Sequence, residues 1–231
     1  MCGINGLFYF DPTRAAEPAV VNRMREVATH RGPDDHGTYF HGNVGLGFNR
    51  LSIIDLSGGH QPMANEDQAV WIVFNGEIYN FEALYQELVS CGHRFRTRSD
   101  TEAIVHAWEE YGENCVQHLR GMFSFAIYDE RRRILFIARD RLGIKPLYYY
   151  ADQNGFVFAS ELKSLLEAAF VPRELDPDAL GEFLRRRYVI APNTILKNVR
   201  KLPPGHTLSV TENGFTTQKY WDLPLEQPAQ I

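Results

Sequence analysis

The second residue of the chain is a cysteine, and a glycine follows it. Initiator methionine is usually removed before a small residue, which would place a thiol and an α-amino group together on Cys2. A thiol with a pKa of about 8.5 needs a base near neutral pH, and an α-amino group with a pKa of roughly 7.7–8.0 can accept its proton. Cys2 can therefore carry nucleophile and base on one residue. On position alone, an incidental second residue is the simpler explanation.

A second candidate for chemistry is Asn75-Gly76, within the stretch VFNGEIYNF at 73–81. Asn-Gly between apolar residues is typical of a tight β-hairpin. The residues that follow lead into a helix instead of a return strand, so we predict that Asn75-Gly76 ends a strand. There the side-chain amide of Asn75 and the backbone N–H of Gly76 can converge as two donors on an oxyanion.

Three charged residues match the two charges of an amino acid. Arg50 lies at the end of an apolar strand, and its guanidinium can hold a carboxylate through two hydrogen bonds. Asp100, in TRSDTEA, and Glu77 offer carboxylates to an ammonium group. Each has a simpler explanation: Arg50 as a surface residue at a strand end, and Asp100 as an acid favoured by the helix dipole. Together with the nucleophile and the oxyanion donors, they suit an α-amino acid with an acylated side chain, and glutamine is the obvious candidate.

Ordered elements must bring these residues together. The 231-residue chain is 44% hydrophobic and 13% aromatic, which is sufficient for a packed core. Alternation and apolar runs predict strands at 3–10, 38–41, 44–50, 69–75 and 121–129, with further hairpins around 129–132, 152–155 and 212–214. Apolar periodicity and capping residues predict helices that start at Pro18, after Asn80, after Ser99, over 160–169 and over 176–188, and a loop at 30–37. Because hairpins dominate, we expect an α+β fold of antiparallel sheets with helices layered outside.

Composition excludes several classes of function. Net charge is −5 and the basic runs at 131–133 and 185–187 are short, so we expect no nucleic-acid partner. Three cysteines indicate a reducing, cytoplasmic compartment and no disulfide framework. No signal peptide or membrane-spanning run is present, so we expect no membrane partner. The eight histidines lack metal-ligand spacing, and we expect no metal.

Ten strings, in order, resemble one known family. They are MCGI, HRGPD, RLSIIDL, HQPM, FNGEIYNF, TRSDTEAI, GMFSFAIYD, ARDRLGIKPLYY, ASELKSLL and KLPPGH. The chain is similar over 2–221 to the glutaminase domain of glutamine-hydrolysing asparagine synthetases and their relatives. These are class II glutamine amidotransferases of the N-terminal-nucleophile hydrolase group, and the resemblance implies a four-layer αββα sandwich.

The resemblance also implies roles for individual residues. Cys2 would be the nucleophile, with its freed amine as base, and Asn75 and Gly76 would form the oxyanion hole. Arg50 would bind the glutamine α-carboxylate, and Asp100 and Glu77 its α-ammonium. The backbone of four further residues would line the pocket: Leu51, Ser52, Ile53 and Ile54. The HRGPD loop would lie near the site.

The family usually continues into a second domain that uses ATP and Mg²⁺ to activate the acid that accepts the ammonia. Its S-G-G-x-D-S signature is missing here, because His60 and Gln61 follow Ser57-Gly58-Gly59. We therefore expect no cofactor in this chain. We expect residues 222–231 to be the start of a linker, and a synthetase domain or subunit to be the partner. The acceptor is aspartate by resemblance, with a cell-surface polysaccharide or peptide as the alternative. Hydrolysis of another amide and a catalytically silent regulatory domain remain open, as does a homodimer.

Overall fold

The computed structural model describes residues 1–51 and 59–223. The predicted pocket residues Ser52, Ile53 and Ile54 lie outside this range, as does most of the predicted linker. Within the described residues, no helix has the length and apolar character needed to cross a membrane.

The first of two sheets contains six antiparallel strands in the order β10-β8-β9-β1-β3-β2. Its strands are β1 (Gly3–Tyr9), β2 (Asp35–His41), β3 (Val44–Arg50), β8 (Tyr148–Ala151), β9 (Gly155–Ala159) and β10 (Arg200–Lys201). Every residue of β1 and β3 is buried, because both faces of this sheet are covered.

The second sheet also has six antiparallel strands, in the order β12-β11-β7-β6-β5-β4. They are β4 (Met63–Ala64), β5 (Val70–Ile78), β6 (Gly121–Asp129), β7 (Ile134–Arg139), β11 (His206–Thr211) and β12 (Gly214–Lys219). Strands β5, β6 and β7 form its centre and are long apolar runs.

Helices cover the outer face of each sheet. They are α1 (Pro18–Glu26), α2 (Phe81–Ser90), α3 (Asp100–Tyr111), α4 (Cys115–His118), α5 (Leu162–Leu165) and α6 (Pro177–Arg186), with short 3₁₀ turns at Thr29–Arg31 and Gly112–Asn114. One apolar cluster joins α1 and α5 to the first sheet, one joins the two sheets, and one joins the second sheet to α2, α3 and α4. The predicted four-layer αββα sandwich is confirmed.

Helices α1, α2, α3 and α6 start where the sequence predicts, but the capping contacts of two of them differ from expectation. Pro18 opens α1, and the Asp176 carboxylate accepts from two backbone N–H groups at the start of α6, both as predicted. Asn80 occupies the N-cap position of α2, but its side chain bonds to the backbone near 118–120 and caps nothing. The spacing of Ser99 and Glu102 also predicts a reciprocal capping box. Ser99 does cap α3 by accepting from Thr101 N at 3.2 Å, but Glu102 accepts from the backbone N–H groups of Arg96 and Thr97, so the reciprocal half of that prediction is wrong.

Three predicted boundaries also change. Strand β2 begins at Asp35, inside the predicted loop, because it pairs along the whole of β3. The predicted helix over 160–169 shortens to α5, and Ser160 stays outside it because its N–H and Oγ hydrogen-bond to the backbone of Ile4. The third change, the extension of β5 past Gly76, concerns the candidate site.

Candidate active site

Cys2 lies at the edge where β1 begins, beside the end of β3. Its Sγ is 3.4 Å from the backbone nitrogen of Leu51 and 3.8 Å from the carbonyl oxygen of the same residue. Pairing of Gly3 with Asn49 fixes this position, because it sets Cys2 against the end of β3. Met1 is attached and 55% exposed in this structure, so the nitrogen of Cys2 is here part of a peptide bond.

The HRGPD segment holds the backbone of Cys2. The Nε of Arg31 donates to the carbonyl oxygen of Cys2 at 3.0 Å, and its NH1 nitrogen donates to Glu161 Oε1 at 3.2 Å. Burial alone would raise the pKa of Glu161, but hydrogen bonds from Arg31 and His30 lower it, so its carboxylate stays charged. The segment was predicted to lie near the site. The contact of Arg31 with Cys2 was missed, because nothing in the spacing pairs these residues.

Asn75 lies near the end of β5 and lines the same pocket as Cys2. It is 1% exposed, pairs with Ser124 on β6, and its Nδ2 has no hydrogen-bond partner among the described residues. A buried amide donor without an acceptor is unusual, since it costs about 1–3 kcal/mol. The Asn75 amide is thus available to an acceptor that a ligand would supply.

Gly76 follows Asn75 within the strand and does not end it. Strand β5 continues to Ile78, so the prediction that Asn75-Gly76 ends a strand is wrong, although the prediction against a hairpin is confirmed. A Cβ at position 76 would lie 2.3 Å from the carbonyl oxygen of Met122. Only glycine lets β5 and β6 approach this closely beside the pocket.

Arg50 is 7% exposed at the last position of β3. Its guanidinium packs against Gly59, where an added Cβ would lie 2.4 Å from the NH2 nitrogen. The carbonyl oxygen of Arg50 accepts from Asp34 N at 3.0 Å, which ties the HRGPD segment to this strand end. Arg50 is therefore a buried, anchored cation and not the surface arginine of the simpler explanation.

Asp100 begins α3 and faces the end of β5. Its Oδ2 accepts from the backbone N–H of Ile78 at 3.0 Å. Burial raises the pKa of the Asp100 carboxyl, and the nearby charge of Glu77 raises it further, while hydrogen bonds from Ile78 and Thr101 oppose the shift. A bound ammonium group would relieve the repulsion between the carboxylates of Asp100 and Glu77, so this pair can bind a cation.

One pocket contains every described residue that the sequence nominated. Cys2, Arg50, Leu51, Asn75, Gly76, Glu77 and Asp100 all line it. Its walls are completed by Met1, Phe48, Gly59, Gln61, Phe74, Ser99, Thr101, Met122 and Lys145. The first sheet contributes the nucleophile and the cation, and the second contributes the amide, so the site lies at the joint between the sheets.

Two of these wall residues were missed although their motifs were noted. Gln61, in HQPM, accepts from Phe74 N at 2.7 Å and donates to Thr101 Oγ1 at 3.2 Å, which joins β5 to α3. Lys145, in GIKPLYY, is 7% exposed and adds a second cation to the pocket. Asp140 holds its turn by accepting from Lys145 N at 3.0 Å. Neither residue shows a periodic pattern that would mark it as part of a site.

The fold and the site define a glutamine amidotransferase domain with its cysteine at the start of the first strand. Residues 1–221 match the family described as "Glutamine amidotransferase domain", and the chain belongs to this enzyme family. Over 230 residues the chain is 38% identical to "Asparagine synthetase [glutamine-hydrolyzing] 3" of Bacillus subtilis, covering 98% of this chain and 38% of that protein. It is 40% identical over 232 residues to "Asparagine synthetase [glutamine-hydrolyzing] 1" of the same organism, covering 100% and 37%.

Solved structures show the same fold at lower identity. The glutamine phosphoribosylpyrophosphate amidotransferase of B. subtilis, complexed with ADP and GMP, superposes with a TM-score of 0.69 at 20% identity, over 95% of this chain and 49% of that one. The structure titled as the allosteric regulatory enzyme of purine biosynthesis gives 0.71 at 19% identity, again over 95% and 49%. The chain is homologous to the glutaminase domains of asparagine synthetases. It spans under two fifths of the length of the two B. subtilis asparagine synthetases.

Proposed function

We propose that this domain hydrolyses the side-chain amide of L-glutamine to glutamate and ammonia. The observation that carries the proposal is the convergence in one pocket of the Cys2 thiol, the Asn75 amide, which has no partner for its Nδ2 among the described residues, and charged groups of both signs. Arg50 binds the α-carboxylate, and Asp100 with Glu77 binds the α-ammonium. A general amide substrate would need neither contact, which favours an amino acid over other amides.

Cys2 is the nucleophile of the proposed reaction. Its Sγ adds to the side-chain carbonyl carbon of glutamine as the thiol proton moves to the free α-amino group of the same residue. The carbonyl oxygen becomes an oxyanion and accepts from Asn75 Nδ2 and the Gly76 N–H. The C–N bond then breaks, and the leaving nitrogen takes the proton and departs as ammonia.

A thioester between Cys2 and the glutamyl group remains. Water adds to its carbonyl carbon and gives a proton to the same amine. The C–S bond breaks, glutamate leaves, and the thiolate regains its proton. Because the amine is the base in both halves, the proposal requires removal of Met1.

The ammonia passes to a synthetase domain or subunit that uses ATP and Mg²⁺. Aspartate is the proposed acceptor, and asparagine the product, because two relatives that match nearly the whole chain are named glutamine-hydrolysing asparagine synthetases. The proposed compartment is the cytoplasm, which fits the three free cysteines: Cys2, Cys91 and Cys115. Another acceptor, such as a cell-surface polysaccharide or peptide, would leave the chemistry of this pocket unchanged. Sequencing the gene beyond Ile231 distinguishes these acceptors.

The test compares glutaminase activity of the Met1-processed chain with that of Cys2→Ala. Ammonia release should fall to background in Cys2→Ala, while Cys91→Ala, which removes an exposed thiol, keeps the parental rate. Intact-mass measurement establishes the amino terminus of each preparation. Retained ammonia release in Cys2→Ala, or full activity in a preparation that keeps Met1, would overturn the mechanism.

A further inference from the structure

Two histidines meet beside α3, and neither lines the glutamine pocket. His106 lies on α3, and His93 lies in the segment between α2 and α3. Their ring centroids are 4.9 Å apart, and both rings approach one oxygen of Glu109. His106 Nδ1 is 3.0 Å from Glu109 Oε2, and His93 Nδ1 is 3.9 Å from the same atom.

Burial makes this cluster unusual. His106 is 1% exposed, and its Nε2 has no hydrogen-bond partner among the described residues. The nearest carboxylate oxygens to that nitrogen belong to Glu102, at 3.8 Å, and Glu66, at 3.9 Å. The side chains of His93 and Glu109 are 16% and 20% exposed, which leaves a path from solvent.

We propose that His93, His106 and Glu109 form a binding site for a divalent transition-metal ion of the zinc class. Imidazole nitrogen with carboxylate oxygen is a donor set that Zn²⁺ accepts, whereas Mg²⁺ and Ca²⁺ prefer oxygen alone. Ligand distances of about 2.0–2.1 Å in a tetrahedron place neighbouring donor atoms roughly 3.3 Å apart. The observed 3.0 and 3.9 Å bracket that value, and the three donor atoms all lie within 4.8 Å of one another, so binding requires the side chains to draw closer around the ion.

The surrounding charges suit a dication. Glu102 and Glu66 face the far nitrogen of His106, and Glu110 Oε2 lies 3.2 Å from Nε2 of His93. When the Nδ1 atoms bind a metal, each ring turns its Nε2–H toward a carboxylate, which is the usual support for metal-bound histidine. Three protein ligands leave one position of the tetrahedron for water.

The bound ion would cross-link the segment between α2 and α3 to α3 itself. His93 precedes the stretch whose backbone N–H groups at Arg96 and Thr97 bind Glu102, and α3 starts at Asp100 in the glutamine pocket. Binding would join this stretch to α3 through side chains as well as through the backbone. The site shares no donor with the glutamine pocket and does not depend on the proposed glutaminase activity.

Zinc binding is measured on untagged protein that carries Cys2→Ala and Cys91→Ala, since exposed thiols would also bind zinc. Cys115 is buried and stays. Zn²⁺ is titrated against a chromophoric chelator, and Co²⁺ is titrated by its visible absorption. We expect one Zn²⁺ per chain, a tetrahedral Co²⁺ spectrum, and an affinity at least about 100-fold weaker in His93→Asn, since even changes behind the ligands cost about 10–100-fold.

His118→Asn is the matched control. Its ring stacks on Tyr111, and its Nδ1 lies 3.6 Å from a single carboxylate, that of Glu87. Zinc should raise the melting temperature of the parent and of this control, and not that of His93→Asn. Absence of zinc binding in the parent, or equal affinity in parent and His93→Asn, would overturn the proposal and leave His106 as a histidine that shares a proton with its glutamates.

Discussion

At the scale of single residues, the Asn75 amide yields a prediction, because its Nδ2 has no partner in the described part of the chain. Its Nδ2 is buried without an acceptor, so Asn75→Ala removes no hydrogen bond from that nitrogen within the described residues. We expect unfolding free energy to stay level or rise, and kcat for glutamine hydrolysis to fall about 10²–10³-fold, as loss of one oxyanion donor does elsewhere. KM should change little. Urea unfolding and steady-state kinetics measure the two effects on one preparation.

Asn5→Ala is the control for that prediction. Asn5 is also buried, at 3% exposure, but its Nδ2 donates to the carbonyl oxygen of Val21 at 3.2 Å. Its loss should lower the unfolding free energy by about 0.5–1.5 kcal/mol, the net contribution of one intramolecular hydrogen bond. If Asn75→Ala instead lost stability and kept its kcat, the amide would be a structural group and not an oxyanion donor.

At the scale of elements, Gly59 sets the position of the Arg50 guanidinium at the end of β3. The Cβ of Gly59→Ala would meet the tip of a flexible side chain, 2.4 Å from NH2, so we expect the guanidinium to move and the fold to stay intact. KM for glutamine should rise about 10–100-fold, the range of a lost charge-assisted hydrogen bond, with kcat nearly unchanged. Steady-state kinetics with a thermal melt checks this separation.

Gly76→Ala gives the contrasting result within the same pocket. There the added Cβ would meet backbone, the carbonyl oxygen of Met122 at 2.3 Å, and neither strand can rotate away. The melting temperature should fall in this variant and hold in Gly59→Ala. A normal KM in Gly59→Ala would show that Arg50 does not hold the substrate carboxylate.

Strands and helices with strong local sequence patterns could be predicted from the sequence. The contacts between residues of different segments could not. Strands β3 and β6 match their predicted bounds, because in each of them apolar residues alternate with small or polar residues over most of the strand. The sequence identified those pocket residues that stand out within their own segment, such as a cysteine at position 2 or an Asn-Gly pair with no return strand after it. The contact of Arg31 with Cys2 and the meeting of His93 with His106 depend on packing between segments, which residue spacing does not record.

At the scale of the whole molecule, the site depends on how the two sheets pack. Cys2 directly precedes β1 of the first sheet and Asn75 lies on β5 of the second, and the apolar layer between the sheets sets their separation. Catalytic geometry and global stability should therefore be lost together. A site built on one sheet alone could survive loosening of this layer.

Phe156 tests this coupling. It is fully buried between the sheets, so Phe156→Ala should lower the unfolding free energy by about 3–5 kcal/mol. Phe215, whose ring centroid lies 5.7 Å away, is 40% exposed, and Phe215→Ala should cost far less. In urea, glutaminase activity and tryptophan fluorescence should disappear at one midpoint in the parent, and Phe156→Ala should shift both equally. Activity that persisted beyond the fluorescence transition would show that the pocket does not need the inter-sheet core.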